Sequence, residues 1–154
     1  MNSSEGVSTG GSQLSVKLGK LDHIAVVVES IEESSKYYSG LLGFQIRGTI
    51  RSEETGDTYC AMTKDDIVLE LVEVSKKSPL LAAGPVRKGM SHLAYLVDDI
   101  EAALKGLRAA GAQILAEKSI VFGKIKFNYA KMRNDLILEV MEIPKGHQHA
   151  YQAL

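Results

Sequence analysis

Two histidines and two glutamates of this chain, types that hold divalent cations, recur at one spacing. His23 precedes Glu70 by 47 residues, His92 precedes Glu139 by the same 47, and the second pair follows the first at an offset of 69. Two neutral imidazoles and two carboxylates make an N₂O₂ donor set that suits cobalt, nickel, manganese, iron or zinc and leaves room for water or substrate oxygens. A cation held this way is a Lewis acid: it stabilises charge developing on a substrate oxygen and eases removal of a proton from the adjacent carbon. Glu70 and Glu139 interrupt the apolar runs "IVLELVEV" and "LILEVMEI", where a carboxylate buried without a partner is costly. A lone strand histidine is most often structural, but only 4 histidines occur in the chain, so the repeated His-to-Glu separation favours a shared site.

The elements that must position these groups repeat with them. "LDHIAVVVESIEESSKYYSGLLGF" aligns with "MSHLAYLVDDIEAALKGLRAAGAQ", and "IVLELVEV" with "LILEVMEI", all at the same offset. The chain reads as two copies of one module, about 20–74 and 89–143, joined by a linker over 75–88 that Pro79, Gly84 and Pro85 punctuate. Each copy reads as strand, helix and three strands. The short β-branched runs "HIAVVV" and "HLAYLV" open the copies, and Ser30 with Glu33, and Asp98 with Glu101, stand at capping-box spacing before the helices. Gly43 and Gly111 suit the left-handed positions at their ends. The expected inward helix faces are Ile31, Ser35, Tyr38 and Leu42, and Ile100, Ala103, Leu104 and Leu107. The fold class is therefore α+β: two tandem βαβββ modules sharing a curved mixed sheet with the helices outside. Strand alternation puts His23 with Ala25 and Val27, and Glu70 with Val68 and Val72.

Composition narrows the partners. The chain has 154 residues, 45% of them hydrophobic, with 18 Lys and Arg against 19 Asp and Glu. That suits a single globular domain and offers no basic stripe for nucleic acid. No apolar run approaches the ~20 residues of a membrane helix, and no signal peptide is evident, so a cytoplasmic location is the default expectation. The single Cys60 cannot form an internal disulfide and is read as a small buried thiol. Residues 1–19, rich in Ser and Gly, read as a disordered extension. Residues 144–154, with His147 and His149, read as a solvated tail, and Glu73 and Glu142 as surface ion-pairing groups.

Paired βαβββ modules with His in the first strand and Glu in the last resemble the vicinal oxygen chelate superfamily, the glyoxalase, bleomycin-resistance and dioxygenase group. The resemblance spans nearly all of 20–143. It implies a U-shaped, eight-stranded sheet around a metal held by His23, Glu70, His92 and Glu139, usually in a homodimer. Within the group the chain is most similar to the methylmalonyl-CoA epimerases, in "KLDHIAVVVESIEESSKYYSGLLGF", in "SPL" of the linker and in "KGMSHLAYLVDDIEAALKGLRAAGA". That likeness implies an acyl-CoA or other thioester or thiol-adduct substrate. It also implies proton transfer by two carboxylates: Glu139, and Glu54 of "EETG", with Glu53 as the one-residue alternative. Tyr129 and Ala130 stand where that family has a His-Pro pair. A lactoylglutathione lyase of the glyoxalase I type would use the same four ligands. A drug-binding resistance protein of the same fold needs no metal, which the His/Glu set argues against.

Overall fold

A computed structural model describes residues 15–154. Most of the expected disordered extension, residues 1–14, lies outside the described residues. Residues 15–20 run beside the sheet: Val16 packs against the second helix, and the Gly19 N–H donates to the Leu96 carbonyl at 2.7 Å.

The first module is β1 (Leu21–Val27), α1 (Ile31–Leu42), β2 (Gln45–Arg51), β3 (Thr58–Lys64) and β4 (Ile67–Glu73). The second is β5 (Gly89–Leu96), α2 (Ile100–Ala109), β6 (Gln113–Ile114), β7 (Ile120–Phe122), β8 (Ile125–Lys131) and β9 (Ile137–Glu142). The nine strands form one mixed sheet in the order β2-β3-β4-β1-β5-β9-β8-β6, with β7 paired to β8. In each module the first strand lies parallel to the last, β1 with β4 and β5 with β9, and the antiparallel β1–β5 pair welds the two copies at the centre. The sheet has one strand more than the eight expected. β7 is a three-residue strand folded onto β8 at Gly123, whose positive φ of 59° admits the tight turn.

The helices cover one face. Ile31 and Tyr38 of α1 pack with Cys60, Met62 and Leu71, and Ile100, Ala103, Leu104 and Leu107 of α2 pack with Ala130, Leu138 and Val140. Cys60 is thus the small buried core thiol expected. Leu42, expected inward, is exposed, because α1 ends there at Gly43, whose φ of 77° turns the chain away. Ser30 caps α1 through the Glu33 N–H as its spacing predicts. In α2 the cap is Asp99, not Asp98: its carboxylate accepts from the Ala102 N–H, while Asp98 pairs with Lys17 at the surface. Glu142 also differs from expectation. It accepts from the Ile100 N–H at 3.0 Å, placing its charge at the N-terminus of α2, besides lying 3.8 Å from Lys126.

The other, concave face carries the candidate site and a second apolar layer of Ile125, Phe127, Tyr129 and Met141. The linker crosses its rim as a short 3₁₀ turn (Pro79–Ala83) that buries Leu80. The turn is tied down by the buried carboxylate of Asp57, which accepts from the Ser75 N–H and the Ser78 hydroxyl, each at 2.7 Å. No helix among the described residues is long and apolar enough to cross a membrane.

Candidate metal centre

The register of the central strands brings the two modules' ligands together. Ala25 pairs with Glu70 on one side and His92 on the other; Ala94 pairs with His23 on one side and Glu139 on the other. The four polar groups therefore surround two fully buried alanines. A methyl side chain at both positions leaves the space in front of the sheet open, where a larger group would fill it. The same pattern stands in the sequence as "HIA" and "HLA".

All four ligand atoms lie within 4.8 Å of one another. His23 Nε2 is 3.4 Å from Glu70 Oε1 and 3.2 Å from Glu139 Oε2, and His92 Nε2 is 3.0 Å from Glu139 Oε2. Both rings turn Nε2 inward because Nδ1 is held from behind, by Asp22 Oδ2 at 2.8 Å for His23 and by the Ser91 hydroxyl at 2.9 Å for His92. A second partner on the far nitrogen is the usual arrangement of metal-binding histidines. Despite its short distances, His23 Nε2 has no partner in hydrogen-bonding geometry. A buried nitrogen aimed at two carboxylates without a bond to either fits a cation between them.

Asp22 is the residue that alternation obscured. As the neighbour of His23 it should face the opposite side of β1, yet it is buried beside the ring. The β1–β5 register shifts between Leu21 and His23, and a bulge of this kind re-aims a side chain.

The charges are unevenly shared. Burial raises the Glu70 carboxyl to about 7, with Glu139 and Asp22 adding repulsion against the opposing pull of His23. Burial also pushes Glu139 upward, but the nearby His23 and His92 imidazoles outweigh it and hold its carboxyl down at about 2. Burial works against a charged His23, but Glu70, Asp22 and Glu139 outweigh it and raise the ring well above its ordinary value.

Glu54 and Glu53 are not brought to this cluster. Both are exposed on the β2–β3 turn, where Glu54 accepts from the Val121 N–H of β7 at 3.4 Å. His147 is exposed. His149, expected in a solvated tail, instead packs back, stacked on Tyr151 and 3.5 Å from Asp22.

Tyr129 is a further residue of the site that the ligand pattern did not reveal. It pairs with Glu139 across β8–β9, sets its ring edge to face against His92 at 5.0 Å, and leaves its hydroxyl fully buried without a partner. A buried hydroxyl with no hydrogen bond costs stability. Tyr129→Phe is expected to raise the stability of the metal-free protein by about 1 kcal/mol, read as a higher midpoint in urea at unchanged slope; a drop would show that the hydroxyl is satisfied.

Comparison with known proteins shows the family and the fold. Residues 22–129 match the family model of the glyoxalase/bleomycin resistance protein/dioxygenase superfamily. The chain belongs to that superfamily. The match takes in His23, Glu70 and His92 and ends before Glu139. Among curated relatives, the mitochondrial methylmalonyl-CoA epimerase of Dictyostelium discoideum is 28% identical over 148 residues, covering 92% of this chain and 89% of its own. The ethylmalonyl-CoA/methylmalonyl-CoA epimerase of Cereibacter sphaeroides is 29% identical over 135 residues, covering 82% of this chain and 99% of its own. Among solved structures, the Streptomyces coelicolor methylmalonyl-CoA epimerase in complex with 2-nitronate-propionyl-CoA superposes with a TM-score of 0.69 at 20% identity, covering 84% of this chain and 97% of its own. That likeness is one of fold.

Proposed function

We propose that this superfamily member is a divalent-metal-dependent isomerase of the methylmalonyl-CoA epimerase type, acting as a homodimer on an acyl-CoA thioester. The observation that carries the reading is the cradle itself: His23, Glu70, His92 and Glu139, two from each module, with ligand atoms within 4.8 Å and both imidazoles held from behind. The epimerase relatives support the substrate class.

A divalent cation bound by these four residues would supply Lewis-acid stabilisation of the charge that develops on the thioester oxygen. The chain's own groups handle the proton. Epimerisation breaks the bond between the α-carbon and its proton on one face and re-forms it on the other, so two proton carriers are needed. Glu139 is one, ionised because two imidazoles hold its carboxylate; it is both ligand and base, which requires one oxygen to be free when substrate arrives. Glu54 is the other. It lies on a turn bonded to β7, and the adjacent Phe122 lines the cavity beside Glu70 and Glu139. The apolar walls of Phe122, Phe127 and Met141 beside Glu70 and Glu139 keep water from the α-carbon.

The test follows deuterium from D₂O into methylmalonyl-CoA and, in parallel, into the hemithioacetal of glutathione, using untagged protein loaded with cobalt. Exchange into the thioester that is lost in Glu139→Gln is the expected result. Exchange into the hemithioacetal alone would assign a lyase of the glyoxalase type, and exchange into neither would remove both substrates.

A further inference from the structure

The segment after β9 does not drift into solvent. It leaves the sheet through Pro144 and Gly146, whose φ of 91° only glycine adopts easily, and returns over the concave face as a short 3₁₀ turn (Ala150–Ala153). There Ala150 is buried, and Ala150, Tyr151 and Leu154 line a cavity together with Glu70 and Glu139. The cavity measures about 30 Å³. A single water needs roughly 10–15 Å³ and ligand pockets run to roughly 300–1,000 Å³, so the space beside the cradle takes a water or a bare cation and excludes an acyl group.

One residue joins this cover to the cradle. Asp22, 3% exposed, places Oδ2 2.8 Å from His23 Nδ1, while Oδ1 accepts from the Ala150 N–H at 2.9 Å. A buried carboxylate must have donors, and these two supply one to each oxygen. The segment is also held by the packing of buried Ala150 in the apolar layer, by His149 Nδ1 3.5 Å from Asp22 Oδ1 and Lys20 Nζ 3.4 Å from His149 Nε2, and the Ala153 carbonyl faces Gly123.

We propose that residues 147–154 form a lid over the metal cradle and that Asp22 is its latch, one oxygen orienting the His23 ligand and the other holding Ala150. Asp22 is a positioning residue: it acts on the site through His23 and on access through the lid. The inference rests on the metal reading above. It adds to that reading that the closed form excludes substrate and that the lid opens by giving up the Ala150 bond.

Ala150→Pro tests the latch at small cost to the fold. Position 150 opens the 3₁₀ turn, where proline is tolerated, and His149 already has the extended φ of −141° and ψ of 149° that precede proline comfortably. The N–H is lost and a ring is added at a buried position, so an unchanged urea midpoint of the metal-free variant accompanies the comparison. Stopped-flow cobalt binding and chelator-driven cobalt loss should both accelerate at least fivefold in Ala150→Pro, with the equilibrium affinity moving less than threefold. Asp22→Ala should instead weaken affinity by roughly 10- to 100-fold, as loss of a partner behind a metal-binding histidine does, and Asp22→Asn, which keeps an acceptor, should restore much of it. In the metal-free wild type, the Ala150 amide should exchange with D₂O at least a hundredfold more slowly than a free loop amide. Equal cobalt rates in wild type and Ala150→Pro, or an unprotected Ala150 amide, would overturn the lid. A wild type that takes up no cobalt overturns the metal reading instead, and the lid is then decided by the Ala150 amide alone.

Discussion

Glu139→Gln is expected to bind cobalt on the order of a hundredfold more weakly than the wild type, a loss of about 3 kcal/mol. Glu139 Oε2 is the one atom close to both imidazoles, 3.2 Å from His23 Nε2 and 3.0 Å from His92 Nε2. Replacing it with an amide keeps the volume and removes the charge where both modules meet. The same substitution reads out separately without metal. Burial raises the Glu139 carboxyl, but the two imidazoles bring it down to about 2 from 4.5. A depressed folded value is stability present above pH 4.5 that fades as pH falls toward 2. Metal-free Glu139→Gln should therefore be less stable than wild type at pH 6, by a few kcal/mol at most, and the difference should shrink below pH 4. Titration calorimetry and urea unfolding measure the two effects. Equal cobalt affinity in the two proteins would remove Glu139 from the ligand set.

The site was legible because its logic is local and repeated. A histidine two residues before an alanine in a short β-branched run, and a glutamate inside an apolar strand, need only alternation and the 69-residue offset to be placed on one face. The parallel β1–β4 and β5–β9 pairs then set their depth. What escaped the sequence was whatever tertiary contacts decide. Asp22 lies in a bulge, and no periodicity announces the one extra residue that turns it toward His23. Of two adjacent aspartates before α2, either can cap, and the path of the chain out of β5 selects Asp99. β7 has three residues, too few to show a period. "GHQHAYQAL" has neither an apolar stripe nor alternation; its place follows from a single N–H that finds a buried carboxylate. Each of these exceptions touches the cradle or its rim, where local preference yields to the requirements of a site.

Cobalt affinity is expected to rise by at least tenfold between pH 6 and pH 8, and at pH 7 calorimetry in buffers of different ionisation enthalpy should record at least one proton released per metal bound. The cause is the uneven charge of the ligand set: burial, with Glu139 and Asp22, raises Glu70 to about 7, and His23, despite burial, is raised by Glu70, Asp22 and Glu139. A cation needs both groups deprotonated, so it competes with these protons, and it wins more easily as pH rises. Stability shows the opposite trend without metal. Glu70 has a folded value above its ordinary 4.5, so the stability it contributes is complete below pH 4.5 and is lost as pH climbs through about 7. His23 adds a loss of the same sign, present in full below its ordinary 6.5 and fading as pH rises through its higher folded value. The thermal midpoint of the metal-free protein should therefore fall from pH 5 to pH 8, while the cobalt-loaded protein, whose ligands are already deprotonated, should hold its midpoint over the same range. Glu70→Gln should flatten the metal-free decline. Parallel slopes in the metal-free and cobalt-loaded proteins would mean that protons and metal do not share this site.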